Sequence, residues 1–538
     1  MPRKSDIAAA VVVIAVAVAL WLPRKPGPID LRWDAGVYYI LGTSLAGGHG
    51  YRLLNEPGQI RAVQYPPLLP AIVAIHERLL GTADPTTVGI QLRRTAFVVF
   101  IVFAVVLLWF FRSHLPMPEA LLGAVVSLLA LHVWFLSDVL FPELWFGTAT
   151  LLFLILVRKE GAAQVGAYAF ALASYALRTV GVAAFVVWVA DSVIKRRFRE
   201  AAVRAMFALA PVAAWQGYVA MVEHSDAYRH PAYEYQRAPY LFYNVSYARN
   251  LALSDPFDPA RGGVSPVRRV VRGALELPAS LGEILTIPRF YPDTALHAVF
   301  GGAAAARRMV AAGVFGGLWI VGLVLVGGGV ALQLLRGDWP APLYLLAYLG
   351  ALSVTPFLAQ YLRYLAPVAA LPVLSAIVLL RMRGTRAAVT ALATTLIFQL
   401  AVVTYVYAHY YEPVAYRDAC GASVAYKLFF YGPSDRGFDE AVDYLHSHAR
   451  ASDIVAAGTP HWVYLRTGLR AVMPPFERDP SKTQQLLEGV PVDYLFVGRD
   501  VIASERFTEP AVRMFPERWE QAYASTVGGW TVYHRIAR

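Results

Sequence analysis

The run IAAAVVVIAVAVALWL (Ile7–Leu22), followed by WDAGVYYILGTSLAGGHGY (Trp33–Tyr51), decides the class of this chain. Sixteen consecutive uncharged, apolar residues outrun a core strand and approach the ~20 residues of a membrane helix. A carboxylate, Asp34, then arrives as soon as the apolar run has ended. Working outward, further apolar runs fall at 95–111, 120–137, 144–157, 163–178, 180–194, 202–222, 311–335, 341–358, 363–380 and 388–407. They make about eleven candidate spans. Of the 538 residues 57% are hydrophobic and 16% charged, against ~25% charged in soluble domains. Mean hydropathy is +0.47. A disordered chain, a collagen-like fibre and an ordinary soluble enzyme are excluded. The pattern predicts a mainly α fold, a polytopic transmembrane helical bundle with a C-terminal extracytoplasmic α/β domain. Arg3-Lys4 and Ala17-Val18-Ala19 would suit a cleaved signal, but the apolar run continues through Trp21-Leu22, which reads as a retained anchor.

The net charge of +11 does not point to nucleic acid, because the basic residues fall in short connections between apolar runs. Arg3/Lys4, Arg112, Arg158/Lys159, Lys195–Arg204, Arg336 and Arg381–Arg386 occupy alternate connections. The positive-inside rule predicts a cytoplasmic N-terminus and an extracytoplasmic C-terminus, in the cell membrane. Arg93 and Arg94 break this pattern. Residues 160–194, as one helix, would run ~52 Å, too long for a ~30 Å core. Two short helices are predicted instead, with Arg178 at their outer turn. The chain divides into a membrane module, 1–407, with outer loops 23–94 and 223–310, and a tail domain, 408–538. The 223–310 loop, rich in tyrosine (Tyr228 to Tyr247) and then in proline and glycine, is expected along the membrane face, among membrane lipids. In the tail, Phe438–His448 reads as an amphipathic helix, and Asp453–Gly458, Val492–Gly498 and Trp530–Ile536 read as strands.

Charges beside a membrane are site candidates. Asp34 is either a general base at the interface or the N-cap of a helix over Ala35–Leu45. Asp138 and Glu143 share a second outer turn; Glu143 is a second acid in the cleft or a first-turn residue after Pro142. Arg178 and Arg363 are placed to hold phosphate or to snorkel. Gln64-Tyr65-Pro66-Pro67-Leu68-Leu69-Pro70 stiffly enters an apolar helix, Ala71–Leu80. Cys420 is the one cysteine, which excludes an intramolecular disulfide and a Cys-based metal site. No phosphate loop, dinucleotide motif, HExxH or GxSxG is present. Gly327–Gly329, inside an apolar run, reads as helix packing.

In combination these motifs resemble bacterial glycosyltransferase family 39-like membrane proteins. That group lies in the GT-C superfamily with the protein O-mannosyltransferases and aminoarabinose transferases. The resemblance rests on Asp34, Tyr38/Tyr39, Gly48-His49-Gly50-Tyr51 and Tyr65–Pro70 in that order. It continues through SDVLFPELWFGTATLLFLIL with Glu143, YALRTVGV with Arg178, and YLRYLAPVAALP with Arg363 and Tyr364. YLRTGLRAVMPP and VDYLFVG extend it into the tail. It implies an inverting transferase moving a sugar from a polyprenyl-phosphate donor to a lipid, glycan or protein acceptor. Asp34 would then be general base and Glu143 a second catalytic acid. Arg178, Arg363, Tyr364, Tyr65, Tyr38 and Asp138 would bind substrate. The chain departs from the O-mannosyltransferases in having Asp34 alone where they carry an acidic pair. A divalent cation such as Mg²⁺ on Asp34, Asp138 and Glu143 is the remaining cofactor expectation. The alternative is a lipid or polysaccharide transporter or a non-catalytic lipid binder. It predicts charges inside several spans and internal repeats, and no repeat is visible.

Overall fold

With no water to satisfy backbone groups in a bilayer, an apolar run closes its hydrogen bonds as helix. Each of the eleven runs does so in the computed structural model, which describes residues 4–24, 27–286, 304–409, 413–417, 423–428, 431–498 and 504–536. Cys420 and part of the 223–310 loop lie outside the described residues. The first half comprises α1 (Lys4–Trp21), α2 (Asp34–Ala46), α3 (Leu68–Leu80), α4 (Pro85–Arg112), α5 (Met117–Leu129), α6 (Leu131–Phe135), α7 (Glu143–Leu156), α8 (Ala163–Leu177), α9 (Val182–Ile194) and α10 (Phe198–Glu223).

Length separates the runs. Five helices among the described residues are long and apolar enough to cross a membrane: Lys4–Trp21, Pro85–Arg112, Phe198–Glu223, Val310–Leu335 and Thr385–Ala408. A sixth span results if Leu358–Val368 and Ala370–Arg383, bent by 72°, count as one. The others (Met117–Leu129, Glu143–Leu156, Ala163–Leu177, Thr179–Ile194 and Pro340–Ser353) are shorter apolar helices. The chain is a multi-pass membrane protein; among the described residues five or six helices have full spanning length, against about eleven candidate runs. The expected break at Arg178 is present: the residue is extended (φ −149°, ψ 131°) between α8 and the turn into α9.

Ion pairs tie the basic connections together at one end of the bundle. Arg112 meets Asp6 at 3.5 Å, Arg158 meets Asp338 at 2.7 Å, Arg197 meets Glu160 at 2.7 Å and Arg381 meets Glu119 at 3.4 Å. Asp34, Glu143 and Arg178 belong to the connections at the other end. Of the Gly327–Gly329 run, Gly328 and Gly329 pack closely on the helix Ala370–Leu380, against Leu379 and the Ser375 backbone.

Beyond Thr385–His409 the chain changes character. β1 (Pro413–Arg417) and β2 (Ser423–Lys427) form an antiparallel pair. β3 (Ile454–Ala456), β4 (Arg470–Val472), β5 (Tyr494–Val497), β6 (Trp519–Ala524) and β7 (Thr531–Arg535) form a mixed sheet in the order β4-β3-β5-β7-β6. β3 runs parallel to β4 and β5; β7 is antiparallel to β5 and β6. Fully buried β5 lies at the centre, as its unbroken apolar sequence requires. The helix Pro433–His448 includes the amphipathic stretch expected over 438–448.

Edge strand β4 is covered rather than left open. Asn55 of the first outer loop donates from Nδ2 to the Ala471 carbonyl at 2.9 Å, and the Ala471 N–H donates back to the Asn55 carbonyl at 2.9 Å. Buried Glu56 accepts from Tyr233 at 2.8 Å and Gln236 at 3.0 Å, and Tyr235 donates to the Met473 carbonyl at 3.2 Å. Both outer loops and the sheet thus close into one body.

Candidate active site

Four charged side chains converge where the loops meet the bundle. Asp34 is the first residue of α2, and the N-cap position before it is taken by Trp33. The Asp34 carboxylate accepts from Arg363 Nη1 at 2.8 Å and, on its other oxygen, from the Tyr243 hydroxyl at 3.2 Å. Glu143 opens α7 after Pro142 and is fully buried. One oxygen, Oε1, accepts from Arg363 Nε at 2.7 Å and also from Arg178 Nη1. Close backbone approach makes this reach available: a Cβ on Gly147 would lie 2.6 Å from the Pro367 carbonyl oxygen. α7 therefore lies directly on the bent segment that carries Arg363. Arg363 also stacks over Phe141 at 3.6 Å, and Arg178 over Tyr364 at 4.8 Å.

Two cavities meet at the Asp34–Arg363 pair. The smaller, about 340 Å³, is lined by Tyr38, Tyr65, Arg178 and Tyr364 with apolar side chains such as Leu177 and Leu352. The Tyr38 and Tyr65 rings lie 4.7 Å apart. The larger, about 620 Å³, is bounded by Trp33 on one side and by tail residues on the other, Asp435, Asp439, Trp462 and Trp530 among them. Both volumes fall in the range of small-ligand sites, roughly 300–1,000 Å³. Trp33 holds φ 55°, ψ −136°, a conformation costing a bulky residue roughly 1–3 kcal/mol. Its neighbour Arg32 over-determines it: that guanidinium stacks on the Trp33 ring at 4.5 Å while held by Asp30 at 2.6 Å and Asp435 at 2.7 Å.

Asp34, Glu143, Arg178, Arg363, Tyr364, Tyr65 and Tyr38 are thus brought together; Asp138 is not. It is buried against Arg24 at 2.9 Å and Arg93 at 3.2 Å, and its carbonyl accepts from the Asp30 N–H at 2.8 Å. Its role is to fasten the two outer turns. This also accounts for Arg93, a basic residue on the wrong side by loop counting. The three carboxylates expected to share a cation do not converge, and each is held by guanidinium groups. No cluster of three or more metal-ligating side chains occurs among the described residues.

Two further residues complete the site. Burial, and then the Asp34 charge, push the Tyr243 phenol well above its ordinary range, so it remains a donor to Asp34. His461, from the tail helix Pro460–Thr467, is 2% exposed and meets the Tyr243 ring edge-on at 4.5 Å. Neither signalled itself in sequence: Tyr243 was one tyrosine among several, and His461 belongs to no motif. Burial pushes His461 down to about 3, with the Asp34 charge opposing. Between that value and the unfolded ~6.5, only the unfolded chain binds the proton. Stability is therefore expected to fall as pH drops from ~6.5 toward 3, by up to ~1.4 kcal/mol per pH unit. Acid titration of thermal unfolding for wild type and His461→Phe checks this; the variant should show the shallower loss.

Gly36 is what admits the tail helix. A Cβ there would lie 2.9 Å from both the His461 Cβ and the Leu31 carbonyl oxygen. Gly36→Ala should cost roughly 1–3 kcal/mol. Hydrogen exchange should report the loss in both α2 and the helix Pro460–Thr467.

No family model matches the chain, and no curated protein matches it. Solved structures do. The apo oligosaccharyltransferase of Archaeoglobus fulgidus aligns with a TM-score of 0.51 at 14% identity, over 97% of this chain and 74% of that one. The oligosaccharyltransferase AglB of that organism, with an inhibitory peptide and dolichol-phosphate, aligns at TM-score 0.49 and 11% identity, over 98% and 74%. ArnT from Cupriavidus metallidurans, bound to undecaprenyl phosphate, aligns at 0.45 and 11%, over 99% and 97%. At such identities the likeness is one of fold, and the first alignment carries it: over nearly all of its length this chain shares the fold of that archaeal oligosaccharyltransferase.

Proposed function

We propose that the protein transfers a sugar from a polyprenyl-phosphate donor to an acceptor hydroxyl, with inversion at the anomeric carbon. The observation that carries this reading is the position of Asp34, at the junction of two cavities, bonded to the Arg363 guanidinium and sharing the smaller cavity with Arg178. Asp34 takes the proton of the acceptor hydroxyl as its oxygen attacks the anomeric carbon. The bond from that carbon to the phosphate oxygen breaks, and its electron pair leaves on the polyprenyl phosphate. The leaving group needs charge stabilisation rather than a strong acid. Nη2 of Arg363, with Nε and Nη2 of Arg178, has no hydrogen-bond partner among the described residues, which leaves donors for phosphate oxygens. Glu143 lines neither cavity; it fixes both guanidinium groups from behind and is a positioning residue. Tyr38, Tyr65 and Tyr364 wall the donor side, whose apolar lining suits the first prenyl units.

The basic end of the bundle faces the cytoplasm on the positive-inside rule, and the shorter apolar helices complete the crossings. The site and the tail then face outward, and the prenyl chain stays in the bilayer during the reaction. Purified protein in lipid bilayers, given a panel of polyprenyl-phosphate sugars and a crude acceptor extract, should release free polyprenyl phosphate, detected by mass spectrometry. Absence of release with every donor and acceptor fraction would remove the reading.

A further inference from the structure

The larger cavity has a chemistry of its own. Its far wall belongs to the tail: the helix Pro433–His448 contributes Asp435, Phe438 and Asp439, and the helix Pro460–Thr467 contributes Trp462. Trp33 faces them from the loop that carries Asp34. Flat indole faces alternating with carboxylates suit C–H faces and hydroxyl donors of a sugar ring. The carboxylates are rigidly set: Asp439 accepts from the Trp462 indole at 2.7 Å and the Tyr431 hydroxyl at 2.9 Å, and Asp435 takes Arg32 at 2.7 Å. Arg32, the cation beside this wall, is held between Asp30 and Asp435, which disfavours a phosphate-headed occupant at this end of the cavity.

We propose that this cavity is the acceptor subsite and that its occupant is a neutral carbohydrate chain end, stacked on Trp33 and Trp462 and hydrogen-bonded by Asp435 and Asp439. This rests on the transferase reading for the word acceptor, but the carbohydrate site stands on its own lining. The strained Trp33 backbone is consistent with it, because that conformation sets the ring into the cavity and Asp34 at its floor. The cavities share Asp34, Phe242, Phe257, Gln360 and Arg363 at their junction, but the tryptophans and tail carboxylates line only the larger and Arg178, Tyr38, Tyr65 and Tyr364 only the smaller, so polyprenyl phosphate and the carbohydrate should bind together.

The test uses the full chain in lipid nanodiscs, carrying Asp34→Asn to prevent turnover. A panel of neutral linear oligosaccharides of glucose, mannose, galactose or arabinose units is titrated against indole fluorescence. Saturable binding is expected for at least one. Trp462→Ala should weaken it about tenfold, as loss of one ring contact does, and Trp462→Phe should largely restore it. If Trp462→Ala does not fold, Trp33→Ala is expected to show the same loss. Added polyprenyl phosphate should leave the oligosaccharide bound. No saturation with any oligosaccharide, displacement by polyprenyl phosphate, or saturable binding of short peptides in their place would overturn the proposal. Oligosaccharide binding without donor cleavage by the wild type would sink the transferase reading alone; donor cleavage without oligosaccharide binding would sink the acceptor assignment alone.

Discussion

Asp34→Asn is expected to lower sugar transfer by about 10²–10⁴-fold with the thermal midpoint nearly unchanged. The amide keeps the shape of the carboxylate; its oxygen can still accept from Arg363 and its NH2 can donate to the Tyr243 hydroxyl, but it cannot take a proton from the acceptor. Little stability is at risk, because Asp34 is partly exposed and Arg363 keeps its bond to Glu143 at 2.7 Å. Binding of polyprenyl phosphate should persist in the variant, which separates loss of the base from loss of the donor site. The measurement is release of free polyprenyl phosphate over time, beside a donor-binding titration. Full turnover by Asp34→Asn would remove Asp34 from the base role.

Glu143→Gln should have the largest effect on stability. One fully buried carboxylate compensates two largely buried guanidinium groups; its loss leaves Arg363 with Asp34 alone and takes from Arg178 the one carboxylate it pairs with among the described residues. Breaking a buried pair in this way costs roughly 3–5 kcal/mol, since the remaining charge is uncompensated. Glu143→Asp keeps the charge and should recover part of the loss. The donor supplies a sharper check. A bound phosphate brings negative charge back to Arg178 and Arg363, so saturating polyprenyl phosphate should raise the midpoint of Glu143→Gln by more than that of wild type. Equal shifts would mean that the two guanidinium groups do not meet the phosphate.

The membrane class and the helical runs were legible because apolarity over many residues has one backbone solution in lipid. The break at Arg178 was legible for a similar reason: 160–194 is too long for one crossing. Span count was less so, because an apolar run shows that a helix forms and not whether Met117–Leu129 or Ala163–Leu177 reaches across. Asp138 looked like a site residue and Arg93 like an error in the charge pattern; each is the other's partner, a relation that 45 residues of separation conceal. Tyr243 was hidden in the same way, since its bond to Asp34 spans 209 residues. Asp34 itself was undecided between cap and base, and only the neighbouring guanidinium and phenol showed which way its oxygens point.

The seam between Asn55 and Ala471 joins residues 416 apart, so it bears on how the protein is made. The bundle inserts as it is synthesised, N-terminal segments first. For most of that time the loop with Trp33 and Asp34 has no sheet edge to close against, and the wall bearing Asp435, Trp462 and His461 does not yet exist. On the transferase reading, a nascent chain would hold lipid phosphate at its arginines only after Arg363 has arrived, and would enclose an acceptor only after the last helices and strands have folded. Cleavage of the donor by water would be most exposed in that interval. A chain truncated before β3 should fail to seal the cleft even though every charged group of the inner cluster is already present, and on the transferase reading it should lose donor to water faster than the full chain does.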